Sequence, residues 1–270
     1  MSTYLMEIVA AHRKAAAADD RDIASLRSAA SDMAPARGFA AAVAGAATGG
    51  VAVIAEIKRR SPSKGPLAPD LDPVDIATAY AAGGAACLSV LTDREYFGGS
   101  PADLLAAQSA AGLPVLRKDF TVTVADVYDA RLMGADAVLL IVAALSDREL
   151  ADFTAAAADV GLGALVEVHD EPELDRALAV GATLVGVNQR DLTTFSVDGD
   201  RADRLAAAIP ADVVAVAESG IGGPDDAARL ARAGYQAVLV GETLVRADDR
   251  AAAVAALAGH PVARRRSAGR

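Results

Sequence analysis

From residue 51 onward the chain repeats one plan eight times: a short apolar run, a polar exit, then a longer Ala-rich stretch with helical spacing. The runs occupy 51–59, 87–93, 114–120, 137–143, 163–170, 184–190, 213–220 and 237–243. Between them, segments 73–82, 124–133, 147–160, 171–180 and 224–233 suit amphipathic helices. Glycine recurs just before the strands, at Gly83-Gly84, Gly134, Gly181 and Gly234. It tolerates the left-handed backbone that ends a helix. Eight such units predict the α/β class, as a single (β/α)8 TIM barrel. A doubly wound open sheet is the alternative, but it rarely supplies eight equivalent units without a second domain.

Residues 1–50 precede the first strand and read as an N-terminal helical extension. One helix is expected over 4–18, with Leu5, Ile8, Val9 and His12 on one stripe. A second, over 40–50, would close the bottom of the barrel. The barrel is expected over 51–258, and 259–270 as a basic tail without fixed structure, its Arg264-Arg265-Arg266 run solvated.

Net charge is −10 and the pI near 4.8, so neither nucleic acid nor an anionic membrane is an expected partner. An anionic substrate must be captured locally. The one cysteine, Cys87, fits a reducing cytoplasm and reads as a small buried hydrophobe. His12, His169 and His260 are far apart in sequence and no Cys/His ligand spacing occurs, so no metal is expected. The N-terminus lacks a signal-peptide core, and the longest apolar run, 137–145, is too short to span a bilayer.

Barrel enzymes place their chemistry at the C-terminal ends of the strands. Here those exits are unusually polar. The first gives Glu56 and Lys58, which project to one side about 6–7 Å apart along an extended backbone. Later exits give Lys118, Glu167, Asn188 with Arg190, and Glu218. Two lysines and three glutamates converging on one mouth push pKa values apart and supply acids and bases near neutral pH. His169, two residues past Glu167, reads as a rim residue. The last two exits, 219–223 and 241–243, put small residues where backbone N–H groups approach an anion, the usual phosphate site of a barrel.

These residues, in order, resemble indole-3-glycerol phosphate synthase. The resemblance runs from Val51 to Arg246. It passes through Glu56-Ile57-Lys58-Arg59, Ser61-Pro62-Ser63-Lys64-Gly65, Tyr96-Phe97-Gly98-Gly99-Ser100, Leu116-Arg117-Lys118-Asp119-Phe120, Val166-Glu167-Val168-His169, Asn188-Gln189-Arg190-Asp191-Leu192, Glu218-Ser219-Gly220 and Gly241-Glu242-Thr243. It implies a small-molecule substrate, 1-(2-carboxyphenylamino)-1-deoxyribulose 5-phosphate. This is cyclised with loss of carbon dioxide and water to indole-3-glycerol phosphate, with no cofactor, by a cytoplasmic monomer.

In that reaction an aryl carbon attacks a ketone, which becomes electrophilic when an acid engages its oxygen. The resemblance makes Lys118 that acid. Dehydration then needs an acid and a base, drawn from Glu167, Glu56 and Lys58. Glu167 as acid with Glu56 as base is favoured; the swapped assignment and Lys58 as acid stay open. Asn188, Arg190 and Glu218 are matched to the sugar hydroxyls and substrate carboxylate. Phe97, Phe120, Leu140 and Leu192 are matched to an apolar slot for the aryl ring. Ser61, Lys64, Ser219, Gly220, Gly241 and Glu242 are matched to the phosphate, Glu242 through its backbone N–H. The loop 193–198 departs from the family pattern, and no substrate contact is assigned to residues 1–50.

Two rivals are weaker. Phosphoribosylanthranilate isomerase uses a cysteine and an aspartate, whereas Cys87 opens the second strand, far from the chemistry. A non-catalytic phosphosugar-binding barrel would have lost acid/base residues that are all present here.

Overall fold

The computed structural model describes residues 4–191 and 194–265. Eight parallel strands close into a barrel: β1 (Ala52–Ile57), β2 (Cys87–Leu91), β3 (Val115–Lys118), β4 (Ala137–Ile141), β5 (Gly163–Val168), β6 (Leu184–Asn188), β7 (Val214–Glu218) and β8 (Ala237–Val240). Neighbours in sequence are neighbours in the barrel, and β1 pairs with both β2 and β8. An open doubly wound sheet is thereby excluded.

Three helices precede β1: α1 (Tyr4–Ala16), α2 (Ile23–Ser31) and α3 (Phe39–Ala46). The barrel's outer layer contains α4 (Pro73–Ala82), α5 (Pro101–Ala111), α6 (Val124–Leu132), α7 (Asp147–Asp159), α8 (Glu171–Ala179), α9 (Arg201–Ala206), α10 (Pro224–Ala233) and α11 (Arg250–Leu257). Their starts carry the caps their sequences offer, for example Ser146 with Glu149 in a reciprocal capping box at α7. Their ends use the expected glycines: Gly84, Gly134, Gly181 and Gly234 have φ of +85°, +91°, +76° and +101°.

Strand alternation divides the core in two. Val53, Ala55, Val138, Leu140, Val166 and Val168 face the helices in one continuous apolar layer. Ala52, Ile54, Leu116, Leu139, Ile141, Leu165 and Leu239 fill the barrel itself, closed from below by Phe39 and Val43 of α3. Cys87 belongs to this inner layer and is fully buried. The expected plug at 40–50 is thus the helix Phe39–Ala46.

Two features of the termini differ from expectation. Helix α2 has few large apolar residues to advertise it. It is started by Asp22, whose carboxylate accepts from the Ala24 and Ser25 N–H groups, and it packs against α6. The tail is not free either. Val51 N–H donates to His260 O at 2.8 Å, Ala263 N–H donates to Ala231 O at 2.9 Å, and Arg265 donates to the Pro210 and Val213 carbonyls. Residues 259–265 therefore dock on the underside, because backbone groups there find partners that a charge-based reading cannot foresee. Residues 266–270 lie outside the described residues. Among the described residues no helix is long and apolar enough to cross a membrane.

Candidate active site

The C-terminal ends of the strands surround a cavity of about 790 Å³, the size range of small-molecule sites. Its floor is the inner apolar layer and its walls are the polar exits. Glu56 and Lys58, on one face of β1 and its exit, meet as an ion pair, Nζ to Oε1 2.5 Å. Lys118 at the end of β3 reaches the centre. Its ammonium lies 3.2 Å from Glu167 Oε2 and 3.5 Å from Glu218 Oε2. Asn188 of β6 donates from Nδ2 to Glu167 Oε1 at 3.1 Å.

These groups are deeply buried: Glu167 is 0% and Glu218 1% exposed. Burial alone would strip charge from all of them, so their mutual fields decide the outcome. For Lys118, burial pulls the pKa down, but the carboxylates of Glu167, Glu218 and Glu56 outweigh it, and the ammonium is held more tightly than usual. Glu167 is pushed up by burial, yet Lys118, His169 and the Asn188 hydrogen bond bring it below the ordinary range. Glu218 ends on the other side. Burial and the neighbouring charge of Glu167 outweigh Lys118 and push it up to about 8. With Glu218 protonated, the Lys118 ammonium faces the Glu167 carboxylate.

The remaining expected residues line the cavity, apart from Leu140 and from Leu192, and His169 lies elsewhere than expected. Phe97 and Phe120 line the cavity with ring centroids 6.3 Å apart. Arg190 lines it too, steadied by its Nη1 donating to Phe195 O. Ser61, Lys64, Ser219, Gly220, Gly241 and Glu242 gather at one end of the cavity wall formed by the β1, β7 and β8 exits. Ser219 has φ of +66° and Gly220 of +69°, an unusual backbone for a serine and one kept where a site over-determines it.

Leu140, expected in the aryl slot, instead faces the helices in the outer core. In the parallel register it pairs with Val166, while Leu139 and Ile141 pair with Leu165 and Glu167, the cavity-facing set. Leu139 and Ile141 are the lining residues. Leu192 lies outside the described residues. His169 is not on the rim: its ring is tucked behind Glu167, with Nε2 3.6 Å from Oε1.

The structure also brings to the cavity residues that the sequence does not assign to it. Tyr4, Leu5 and Ile8 of α1 close the mouth, and Arg246 adds a cation beside Glu242. The helix is fastened by His12 Nε2 to Asp93 Oδ2 at 3.0 Å and by Tyr4 packing edge-on against Phe195. The apolar stripe Leu5, Ile8 was visible in the sequence; its target was not. His12, Asp93 and Asp119 bring ligand-type atoms within 4.8 Å of one another. Hydrogen bonds already engage them, His12 with Asp93, and Thr92 and Arg117 with Asp119.

The chain is similar to known proteins along its length. The family model described as indole-3-glycerol phosphate synthase matches residues 5–257. A Nocardioides protein named indole-3-glycerol phosphate synthase is 54% identical over 241 residues, covering 88% of this chain and 90% of the relative. One of the same name from Laribacter hongkongensis is 50% identical over 261 residues, covering 95% and 99%. Among solved structures, thiamine phosphate pyrophosphorylase from Pyrococcus furiosus has a TM-score of 0.58 at 16% identity, covering 78% of this chain and 95% of that one. That likeness concerns the fold alone. With the ordered exit motifs and full-length relatives together, the chain belongs to the indole-3-glycerol phosphate synthase family.

Proposed function

We propose that this chain closes the ring of 1-(2-carboxyphenylamino)-1-deoxyribulose 5-phosphate, releasing carbon dioxide and water, to form indole-3-glycerol phosphate in tryptophan biosynthesis. The observation that carries the reading is the Lys118 ammonium, set between Glu167 and Glu218 at the mouth of the barrel in a member of this family.

Lys118 donates to the ketone oxygen as the aryl carbon attacks. Charge that develops on that oxygen meets a cation already in place and shielded from water, which is where such stabilisation is worth most. Loss of carbon dioxide restores the aromatic ring. The hydroxyl left by ring closure must then depart with a proton, and the neighbouring carbon must lose one. Glu167 rests as the carboxylate, which supports it as the base, the reverse of the sequence expectation. Lys58 protonates the departing hydroxyl, a role supported by its pairing with Glu56 on β1 across the barrel from β5.

Asn188, Arg190 and Glu218 orient the sugar and the carboxylate that will leave. The aryl ring lies against Phe97, Phe120, Leu139 and Ile141, with Leu5 and Ile8 above. The phosphate is held at the exits of β7 and β8 by backbone N–H groups of Ser219, Gly220 and Glu242, with Ser61, Lys64 and Arg246 around it. One chain supplies all these residues, which supports a working monomer, and a biosynthetic role of this kind fits the cytoplasm.

Incubating the folded protein with the substrate and following indole fluorescence tests the reading. Product should appear with the native chain and be lost with Lys118→Met, a drop of about 100-fold or more. Absence of product from native protein at high concentration overturns the activity. Near-normal turnover by Lys118→Met removes Lys118 as the acid.

A further inference from the structure

His169 lies outside the cavity lining, yet its ring is nearly buried and points at a catalytic group. Its Nδ1 is 3.0 Å from Glu173 Oε2 of α8, and the same oxygen accepts the His169 backbone N–H at 2.8 Å. That carboxylate is an acceptor, so Nδ1 carries the hydrogen. The other ring nitrogen, Nε2, faces Glu167 Oε1 at 3.6 Å, is shut off from solvent, and has no hydrogen-bond partner of its own.

A neutral ring in this tautomer would aim the Nε2 lone pair at a carboxylate oxygen inside the protein. Two acceptors facing each other in a dry site are unfavourable, so one proton must belong to the pair. Lys118 and Asn188 already hold Glu167 as the anion from its other sides. The proton therefore rests on the imidazole. We propose that His169, held by Glu173, is a positioning residue that keeps Glu167 ionised and aimed for proton abstraction.

The groups facing the ring agree with this charge. Glu167 of β5 and Glu173 of α8 favour the cation, and Arg201 at the start of α9 opposes it. Arg201 is itself engaged, donating from Nη1 to Asn188 O at 2.8 Å. Burial also works against the cation, but the two carboxylates prevail, and His169 is held above the ordinary imidazole value. The arrangement resembles a serine-protease triad in its logic, an acid orienting a histidine that acts on a third group. Here the third group is a carboxylate, and the histidine never touches substrate.

This rests on the activity proposed above for its kinetic half only. NMR titration of the imidazole signals reads the pair directly, with His169 identified by loss of its signal in His169→Asn. In the native protein it should titrate above about 6.5, and in Glu173→Gln about one pH unit or more lower. In kinetics, both His169→Asn and Glu173→Gln should move the acidic limb of kcat upward by about one pH unit, because Glu167 then binds its proton more readily. KM should stay within about two-fold, and thermal melts would confirm that both variants are folded. A His169 that titrates at or below 6.5 overturns the proposal. So does a kcat that falls equally at every pH with the limb unmoved, since that is the result of lost packing alone. If the native protein shows no turnover, the activity reading fails while the titration still decides the state of the pair.

Discussion

Gly241 faces the Glu56 carboxylate with only hydrogen where any other residue would carry a Cβ. That carbon would overlap Glu56 Oε1 and stand 2.9 Å from Lys58 Nζ. The β8 exit thus lines the cavity with its backbone and leaves space for the β1 ion pair. Gly186 does the same for Glu218, whose Oε1 occupies the place of its missing side chain.

Gly241→Ala is expected to lower kcat by about 100-fold, since displacing a catalytic group by about 1 Å costs that much. Steady-state kinetics beside a melting curve check this. Unchanged kcat would show that Glu56 and Lys58 move aside without consequence.

Glu218 makes the fold lose stability as pH rises. Its folded pKa, about 8, lies above the value near 4.3 of an unfolded glutamate. Between those limits the folded state holds the extra proton, so stability is full below about pH 4 and declines through pH 8. Glu218→Gln should remove most of that decline, on the order of a few kcal/mol across the interval. Denaturant titrations from pH 5 to 9 measure it, and parallel slopes in the two proteins would refute it.

His12 fastens α1 over the mouth. Its hydrogen bond to Asp93 raises its pKa against the opposing pull of burial. The contact is therefore fully present below about pH 6.5 and lost as pH climbs through the higher folded value. Proteolysis of the segment between α1 and α2 should quicken at alkaline pH. With His12→Ala it should be fast throughout, and KM should rise several-fold because Tyr4, Leu5 and Ile8 no longer sit over the cavity. Equal cleavage rates would show that the latch is elsewhere.

Leu139 and Leu140 are neighbours with opposite duties. Leu140→Ala should cost about 2–5 kcal/mol of stability and leave KM unchanged, because the cavity it makes lies under the helices. Leu139→Ala should raise KM for the aryl substrate. The reverse pattern, from unfolding curves and kinetics, would return Leu140 to the site.

The strands with polar residues at their ends could be read directly. In β1, β3, β5 and β7 a charged residue marks the inward face, and every charge named there lines the cavity. Strand β4 has no such mark. Its run Ala-Val-Leu-Leu-Ile is apolar on both faces, so nothing in it tells Leu139 from Leu140; pairing with β5 sets the phase. The place of His169 is hidden in the sequence for a similar reason, since its surroundings come from α8 and α9.

Local sequence determined the eightfold alternation, the glycine stops, the barrel and the set of charges at its mouth. Each follows from short-range patterns: side-chain period, capping chemistry, and polar residues at strand ends. Tertiary structure alone decided which carboxylate keeps its proton, where α1 lies, and what stands behind Glu167. Those depend on burial and on fields between groups dozens of residues apart, such as Lys118 and Glu218, which meet only when the barrel closes.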